Sequence, residues 1–407
     1  MPEWQHLEQA AQKVFESYGY AEIRTPLVEK TELFARAIGD ATDVVEKEMY
    51  TFEDRNDDLL SLRPEGTAGV VRAVLQNGLL YGSPLRLWYQ GPMFRRERPQ
   101  KGRTRQFHQI GAEVFGAAGP DIDVELLALC QRLWQMLGLT DLRLEVNSLG
   151  TTNERAAFRE ELHRFLTSRK DRLDDDSLSR LDRNPLRILD SKNPSVQELL
   201  HDAPALDEYL GEESRQHFDH FKTLLQAVDV DYVVNPRLVR GLDYYSHTVF
   251  EWITDSLGAQ GTVCAGGRYD GLVEIQGGKP WPGVGFAMGQ ERLVELMRMQ
   301  SRSDPLCPHI YLVMAGDEAV TRGMQLAEQL RRSVAGLRVQ CNLGGGSFKA
   351  QFKRADRSGA ALALVLGEDE LLHSQVTIKH LRGEGGQETQ SMNVLENWLS
   401  DWLPTDS

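Results

Sequence analysis

Cysteine is scarce in this chain. Four residues of 407, Cys130, Cys264, Cys307 and Cys341, stand far apart with no C-x-x-C pair among them. That spacing speaks against a disulfide framework and a zinc site, so no metal-ligand set is expected and the thiols should be reduced, in the cytoplasm. Long apolar runs are missing too. Nothing approaches the length of a membrane span, and the N-terminal "MPEWQHLEQAAQKV" is no signal peptide, so no membrane partner is expected. Positive charge is in short supply overall, 46 Lys and Arg against 60 Asp and Glu, for a formal net charge of −14. An acidic total sets solubility without forbidding a nucleic-acid partner, but it requires any anion-binding surface to be concentrated. One stretch is. In "RRERPQKGRTR", residues 95–105, six basic side chains crowd together, relieved only by Glu97.

Around that stretch the hydrophobic periodicity predicts a helix over 3–18, then a strand in "YAEIRTPLVE" that Pro26 interrupts, which suits a sheet edge. "TELFARAIG" reads as a helix closed by Gly39, and "EMYTFEDRNDDLLSLRPEGT" as a hairpin turning on Asp54, Asn56, Asp57 and Asp58. "LRLWYQGPMFR" and "QFHQIGAEVFG" flank the basic tract as strands and put it at a hairpin tip. A charged, helical segment interrupts the chain at about 152–225. Strands then resume, and after "QSRSDPLCP" at 300–308, "HIYLVMAG", "LRVQCN" and "ALALVLG" alternate with helical patterns. The expected architecture is an α+β domain built on an antiparallel sheet (1–151 and 226–303) with a helical insertion (152–225). A C-terminal α/β domain with a largely parallel core (308–407) follows it.

Several stretches carry chemistry. "SLRPEGT" presents Glu65 and Thr67 at a strand end, where an exposed turn is the plain alternative. In "QFHQIGAEVF", Phe107, Gln109, Gly111 and Glu113 share one strand face, which suits a pocket wall or a solvated surface. "LVRGLDYYSHTVFEW" sets Arg240 and Asp243 beside Tyr244 and Tyr245, a surface ion pair or a recognition pocket. "AGGRYDG" (265–271) reads as a Gly-rich turn resembling a phosphate loop, yet fits neither G-x-x-x-x-G-K-[ST] nor G-x-G-x-x-G. "GVGFAMGQERL" spaces Gly283, Gly285 and Gly289 to clear a strand face for a flat ring. It also places Arg292 in the first turn of a helix, where the dipole disfavours a cation and a ligand role is the better explanation. "GGGSFKAQFKRADRSG" puts Lys349, Lys353, Arg354 and Arg357 on a helix with Phe348 and Phe352. That mixture suits single-stranded nucleic acid, though a solvated helix face would look alike.

Taken together these stretches resemble the bacterial histidyl-tRNA synthetases, a family of class II aminoacyl-tRNA synthetases, along essentially the whole chain. "GYAEIRTPLVE", "FRRERPQKGRTRQFHQIGAEVFG" and "GVGFAMGQERL" are similar to class II motifs 1, 2 and 3, and "RGLDYYSHTVFEW" and "AGGRYDGL" to the two blocks peculiar to the histidyl enzymes. The resemblance implies a class II catalytic domain and a C-terminal anticodon-binding domain in a cytoplasmic homodimer. Its substrates would be ATP with Mg²⁺, L-histidine and tRNA(His), joined through a histidyl-adenylate. It further implies that Arg95 and Arg240 are catalytic, and that Arg95, Arg103 and Arg292 grip the ATP phosphates. Glu97 would accept from the adenine amino group and Phe107 stack on the ring. Glu65, Thr67 and Gln109 would hold the histidine ammonium. Glu113 and Tyr245 would bracket the imidazole, with Tyr244 close by, and Arg240 would lie against the α-phosphate and carboxylate. Arg98, Gln100 and Lys101 would meet the acceptor end of tRNA, with Lys349, Lys353 and Arg354 on its anticodon end. Two departures stand out. Members of the family carry a segment with "RGMxDxLP" ahead of the first helix, whereas this chain opens on that helix, and Arg96 stands where a His is familiar.

A catalytically silent relative, the regulatory subunit of ATP phosphoribosyltransferase, is the alternative. Such paralogues lack the arginine of the first histidyl block and the C-terminal domain, and this chain has both Arg240 and residues 308–407. A purely RNA-binding protein would leave the Glu65, Gln109 and Glu113 cluster unexplained.

Overall fold

The computed structural model describes residues 2–39, 42, 44–82, 84–99, 102–240, 242, 244–258, 261–300, 307–383 and 385–403. The chain forms two compact units that divide near residue 302. In the first, strands β1 (Ala21–Glu22), β2 (Val28–Lys30), β3 (Thr51–Glu53), β4 (Leu59–Leu62), β5 (Leu85–Phe94), β6 (Gln106–Phe115), β7 (Arg143–Ser148), β8 (Val233–Val234), β9 (Ser246–Ile253), β10 (Thr262–Arg268) and β11 (Gly283–Gly289) make two sheets. Eight strands are ordered β1-β5-β6-β11-β10-β9-β7-β8, and three are ordered β2-β4-β3. Pairing in the large sheet is antiparallel except at its two edges, where β1 joins β5 and β8 joins β7 in parallel. Pro26 falls between β1 and β2, each an edge strand, as its missing N–H demands.

Strand alternation divides the large sheet into two faces. Ile110, Ala112 and Val114 of β6, Val284, Phe286 and Met288 of β11, and Phe250 and Trp252 of β9 enter one core cluster. They pack there with the helices Pro2–Ser17, Asp121–Met136, Glu212–Ala227 and Gln290–Gln300. Each fully buried side chain of this size contributes roughly 1.5–3 kcal/mol. The intervening residues point the other way. There Leu87, Tyr89 and Val249 join a second cluster with helices Thr31–Ile38, Thr67–Gln76 and Thr152–Thr167. The segment expected as an insertion is helical, beginning with a capping box between Thr151 and Glu154. Its last helix, Glu212–Ala227, nevertheless packs Phe218, Phe221 and Leu225 into the first cluster.

In the second unit β12 (Ile310–Met314), β13 (Val339–Cys341), β14 (Leu362–Leu366), β15 (Gln375–His380) and β16 (Gln387–Ser391) are ordered β13-β12-β14-β15-β16. The three expected strands are parallel, and β15 and β16 add an antiparallel extension that the sequence reading missed. β15 offers only Val376 and Ile378 as an apolar face, and β16, "QETQS", is polar throughout with no apolar face to betray it.

Candidate active site

A cavity of about 450 Å³ opens on the face of the large sheet opposite the first core cluster. Its wall brings together Glu65, Thr67, Arg95, Glu97, Arg103, Phe107, Gln109, Arg240, Tyr244, Tyr245 and Arg292, residues scattered over more than half the chain. Pairing explains the convergence. Gln109 and Glu113 on β6 stand opposite Gly289 and Gly285 on β11, so small residues on one strand leave room above the polar residues of the next.

The floor is acidic and buried. Glu113 is fully buried, directly beneath Thr67 and Tyr269 of the wall. Its carboxylate accepts from Thr67 Oγ1 at 2.6 Å, from Tyr89 OH at 3.3 Å and from the Tyr269 hydroxyl. Burial pushes its pKa up to about 8, aided by the nearby Glu65 charge and opposed by the three hydroxyls. The room expected over Gly283 and Gly285 is taken by protein: a Cβ at Gly285 would lie 1.8 Å from the Glu113 carboxylate, and one at Gly283 2.5 Å from the Tyr269 ring. A flat ligand therefore finds open strand at Gly289, not along the whole row. Glu65 caps the helix Thr67–Gln76, accepting from Thr67 N at 2.6 Å and Ala68 N at 2.9 Å. Burial raises its pKa despite those bonds. Gln109 Oε1 is buried with no hydrogen-bond partner among the described residues, an acceptor available to a ligand donor.

The rim is cationic. Arg95 donates from Nε to Pro64 O at 2.9 Å and stands 5.4 Å from the centre of the Phe107 ring. Arg103 pairs with Glu97 at 2.7 Å. Burial lowers the pKa of Arg292, and the like charges of Arg103 and Arg95 lower it further. Like charges gathered around Arg292 in this way suit a multiply charged anion. Arg240 is held differently. Burial would lower its pKa, but Glu251 and Tyr245 more than offset that and leave it raised. Its guanidinium bonds Glu251 and lies 5.5 Å from the Tyr245 ring centre.

Sequence reading missed Tyr89 of β5, Glu251 of β9 and Tyr269 just beyond β10, and Arg187, Asp190 and Lys192, which the inserted segment lends to the wall. It also missed Arg155, whose side chain donates to the Tyr245 carbonyl. A lone polar residue mid-strand, as at Glu251 in "TVFEW", was the one available signal. The Gly-rich turn expected at "AGGRYDG" is replaced by strand over its first four residues. Residues 265–268 are strand, and Arg268, with no exposed surface, donates to Asp123 at 2.9 Å and to the carbonyls of Ala117 and Gly119. That arginine ties the sheet to the helix beneath it.

Arg98 is exposed in the hairpin loop, while Gln100, Lys101, Gly241 and Asp243 lie outside the described residues. In the second unit Lys349 and Lys353 are exposed on the helix Phe348–Arg357, whereas Arg354 turns back to the Gly345 carbonyl. Cys130 and Cys264, far apart in sequence, bring their Sγ atoms to 3.9 Å in the core.

The histidyl-tRNA synthetase family model matches residues 2–293, and an anticodon-binding domain model matches 309–402. A histidine–tRNA ligase of Halorhodospira halophila (strain DSM 244 / SL1) is 58% identical over 399 residues, covering 98% of this chain and 94% of that protein. One of Alkalilimnicola ehrlichii (strain ATCC BAA-1101 / DSM 17681 / MLHE-1) is 58% identical over 404 residues, with 99% and 94% covered. The structure of apo S. aureus histidyl-tRNA synthetase matches with a TM-score of 0.79 at 34% identity, covering 98% of this chain and 95% of that one. With its acid-floored, arginine-rimmed cavity on a largely antiparallel sheet, the chain belongs to the histidyl-tRNA synthetase family.

Proposed function

We propose that the cavity is where this chain activates histidine with ATP and passes it to tRNA(His). The observation that carries the reading is the juxtaposition of an arginine cluster, Arg95, Arg103 and Arg292, with a buried acidic floor under Gln109, Tyr244 and Tyr245. Histidine lies at the floor, its ammonium meeting Gln109 Oε1, Glu65 and Thr67. Glu113, which also orders the hydroxyls of Thr67 and Tyr269, and Tyr245 bracket the imidazole, with Tyr244 close by. ATP lies along the rim, with Phe107 under the adenine and Glu97 accepting from its amino group.

The histidine carboxylate attacks the α-phosphorus in line. A new P–O bond forms as the bond to pyrophosphate breaks, and histidyl-adenylate results. Arg240 and Arg95 stabilise the charge on the α-phosphate, by contacts that positioning and electrostatics make strong in a water-poor site. Magnesium is ordinarily held by one or two carboxylates plus substrate phosphates. Glu291, in the cavity wall beside Arg292 in sequence, is a carboxylate at hand for that donor set with the ATP oxygens, its own oxygens also accepting from His108 N at 2.9 and 3.0 Å. The ion would neutralise charge on the leaving pyrophosphate. A terminal ribose hydroxyl of tRNA then attacks the carbonyl carbon, and AMP leaves. The hairpin tip (Arg98, Gln100, Lys101) and the helix bearing Lys349, Lys353 and Arg354 are the tRNA contacts in this reading. A cytoplasmic homodimer completes it, supported by the exposed Leu27, Val28, Phe52 and Leu59 on and beside the three-stranded sheet.

The test is ATP–pyrophosphate exchange across several amino acids. Exchange should depend on histidine alone, and Arg240→Ala should abolish it, since one preorganised charge contact is worth roughly 3 kcal/mol or more. Near-normal exchange in folded Arg240→Ala would end this mechanism.

A further inference from the structure

Glu251 stands where a sheet disfavours it. Its cross-strand neighbour on β7 is Glu145, another carboxylate, directly opposite in the register. Like charges so placed are destabilising. Glu145 is satisfied by Arg143 at 3.3 Å and by Asn235 at 2.7 Å. The oxygens of Glu251 go elsewhere, one to the Arg240 guanidinium and the other to Thr262 Oγ1 at 3.0 Å.

The position of Thr262 is itself the product of an irregularity. Ala265 pairs with Glu251 and Cys264 with Trp252, so an unbroken ladder would pair Val263 with Ile253 and turn Thr262 to the opposite face. Instead Thr262 pairs with Ile253, and the register shifts between Thr262 and Cys264. Val263 and Cys264 accordingly both enter the first core cluster, consecutive residues on one side of a strand. The bulge returns Thr262 to the cavity face, where its hydroxyl meets Glu251. Bulges near active sites commonly re-aim a side chain in this way. The carbonyl of this same Thr262 accepts from Arg292. One bulged residue therefore joins, through Glu251 on one side and its own backbone on the other, Arg240 and Arg292, two of the arginines proposed to hold the ATP phosphates.

We propose that Glu251 and Thr262 are positioning residues for the activation step: they fix the direction of the Arg240 guanidinium and its spacing from Arg292. Both line the cavity, but the oxygens of Glu251 are turned to Arg240 and to Thr262. Glu251 removes two of the freedoms of a long side chain, its aim and its distance, before ATP arrives, so that Arg240 is aligned for the α-phosphate without reorganising. The inference rests on the role given to Arg240 above.

Glu251→Gln keeps the shape and removes the charge that orients Arg240. In histidine-dependent ATP–pyrophosphate exchange it should lower kcat by roughly 10- to 100-fold, the usual effect of losing such an outer partner. KM for ATP and for histidine should change by less than about threefold, the pattern of an interaction realised in the transition state. Thr262→Val, which keeps shape and loses the hydroxyl, should lower kcat several-fold, and Thr262→Ser should restore it. Arg240→Ala runs beside them. If it loses exchange while Glu251→Gln and Thr262→Val keep kcat within twofold, or alter KM alone, the positioning role is overturned and the reading of Arg240 stands. If Arg240→Ala retains exchange, the reading of Arg240 falls and this inference with it. A Thr262→Ser protein as impaired as Thr262→Val would also overturn the inference, because the hydroxyl would then not be what matters.

Discussion

Glu113 accepts from three hydroxyls and has no exposed surface, and burial holds its pKa at about 8 against an ordinary 4.5. The folded state therefore binds its proton more tightly than the unfolded state does. That contribution to stability is complete below about pH 4.5 and is lost as the pH rises through 8. Glu113→Gln mimics the protonated acid and should escape the loss. Chemical unfolding of ligand-free protein should show wild type falling behind Glu113→Gln by up to a few kcal/mol between pH 5 and 9. Each pH unit that separates the folded pKa from the unfolded one is worth about 1.4 kcal/mol. Parallel pH curves for the two proteins would show that the carboxyl is not held neutral. The same residue marks how far a sequence reading reaches. Alternation in "QFHQIGAEVF" is enough to put Gln109 and Glu113 on one face, but depth is not written in alternation. Glu113 is sunk because Gly285 lets its carboxylate in and because Tyr89 of β5 and Tyr269, just beyond β10, come over it.

At the scale of elements, the hairpin of β5 and β6 was legible because both strands alternate and the tract between them is charged, and the register from Leu85↔Phe115 to Phe94↔Gln106 is unbroken. The bulge between Thr262 and Cys264 was not, since nothing in "GTVCAGG" distinguishes it from a regular strand. The Gly-rich "AGGRYDG" misled for a related reason: in β10 its glycines allow close packing of strand on strand, where a turn was expected. In the hairpin loop one element is expected to serve two anions. Arg95 begins the loop and lines the cavity, while Arg98 is exposed further along it. Arg95→Ala should destroy exchange in the absence of tRNA. Arg98→Ala should weaken tRNA charging far more than exchange, and flatten the log–log salt dependence of charging by about 0.7–0.9, one phosphate contact. Equal losses in both assays from both variants would mean that the loop forms one undivided phosphate site.

Over the whole molecule, each unit has its own apolar core: the two large clusters of the first, and in the second the strands β12, β14 and β15 with helices Asp317–Ser333 and Leu395–Trp402. The division near residue 302 was visible beforehand as the polar stretch "QSRSDP", and the alternation of short apolar strands with helices identified the second unit as α/β. Removing residues from about 304 onward should spare some histidine activation and cripple tRNA charging. A truncated protein that charges tRNA as well as the parent would leave the second unit without a role. The central claim, that the cavity of the first unit joins histidine to AMP, is tested most directly by trapping the product. The protein is mixed with histidine, magnesium and ATP labelled at the α-phosphate, without tRNA, and passed over a desalting column. Labelled histidyl-adenylate should be retained at close to one per intact site, with none on Arg240→Ala. A parent protein that retains no adenylate, or an Arg240→Ala protein that retains as much as the parent, would contradict the claim.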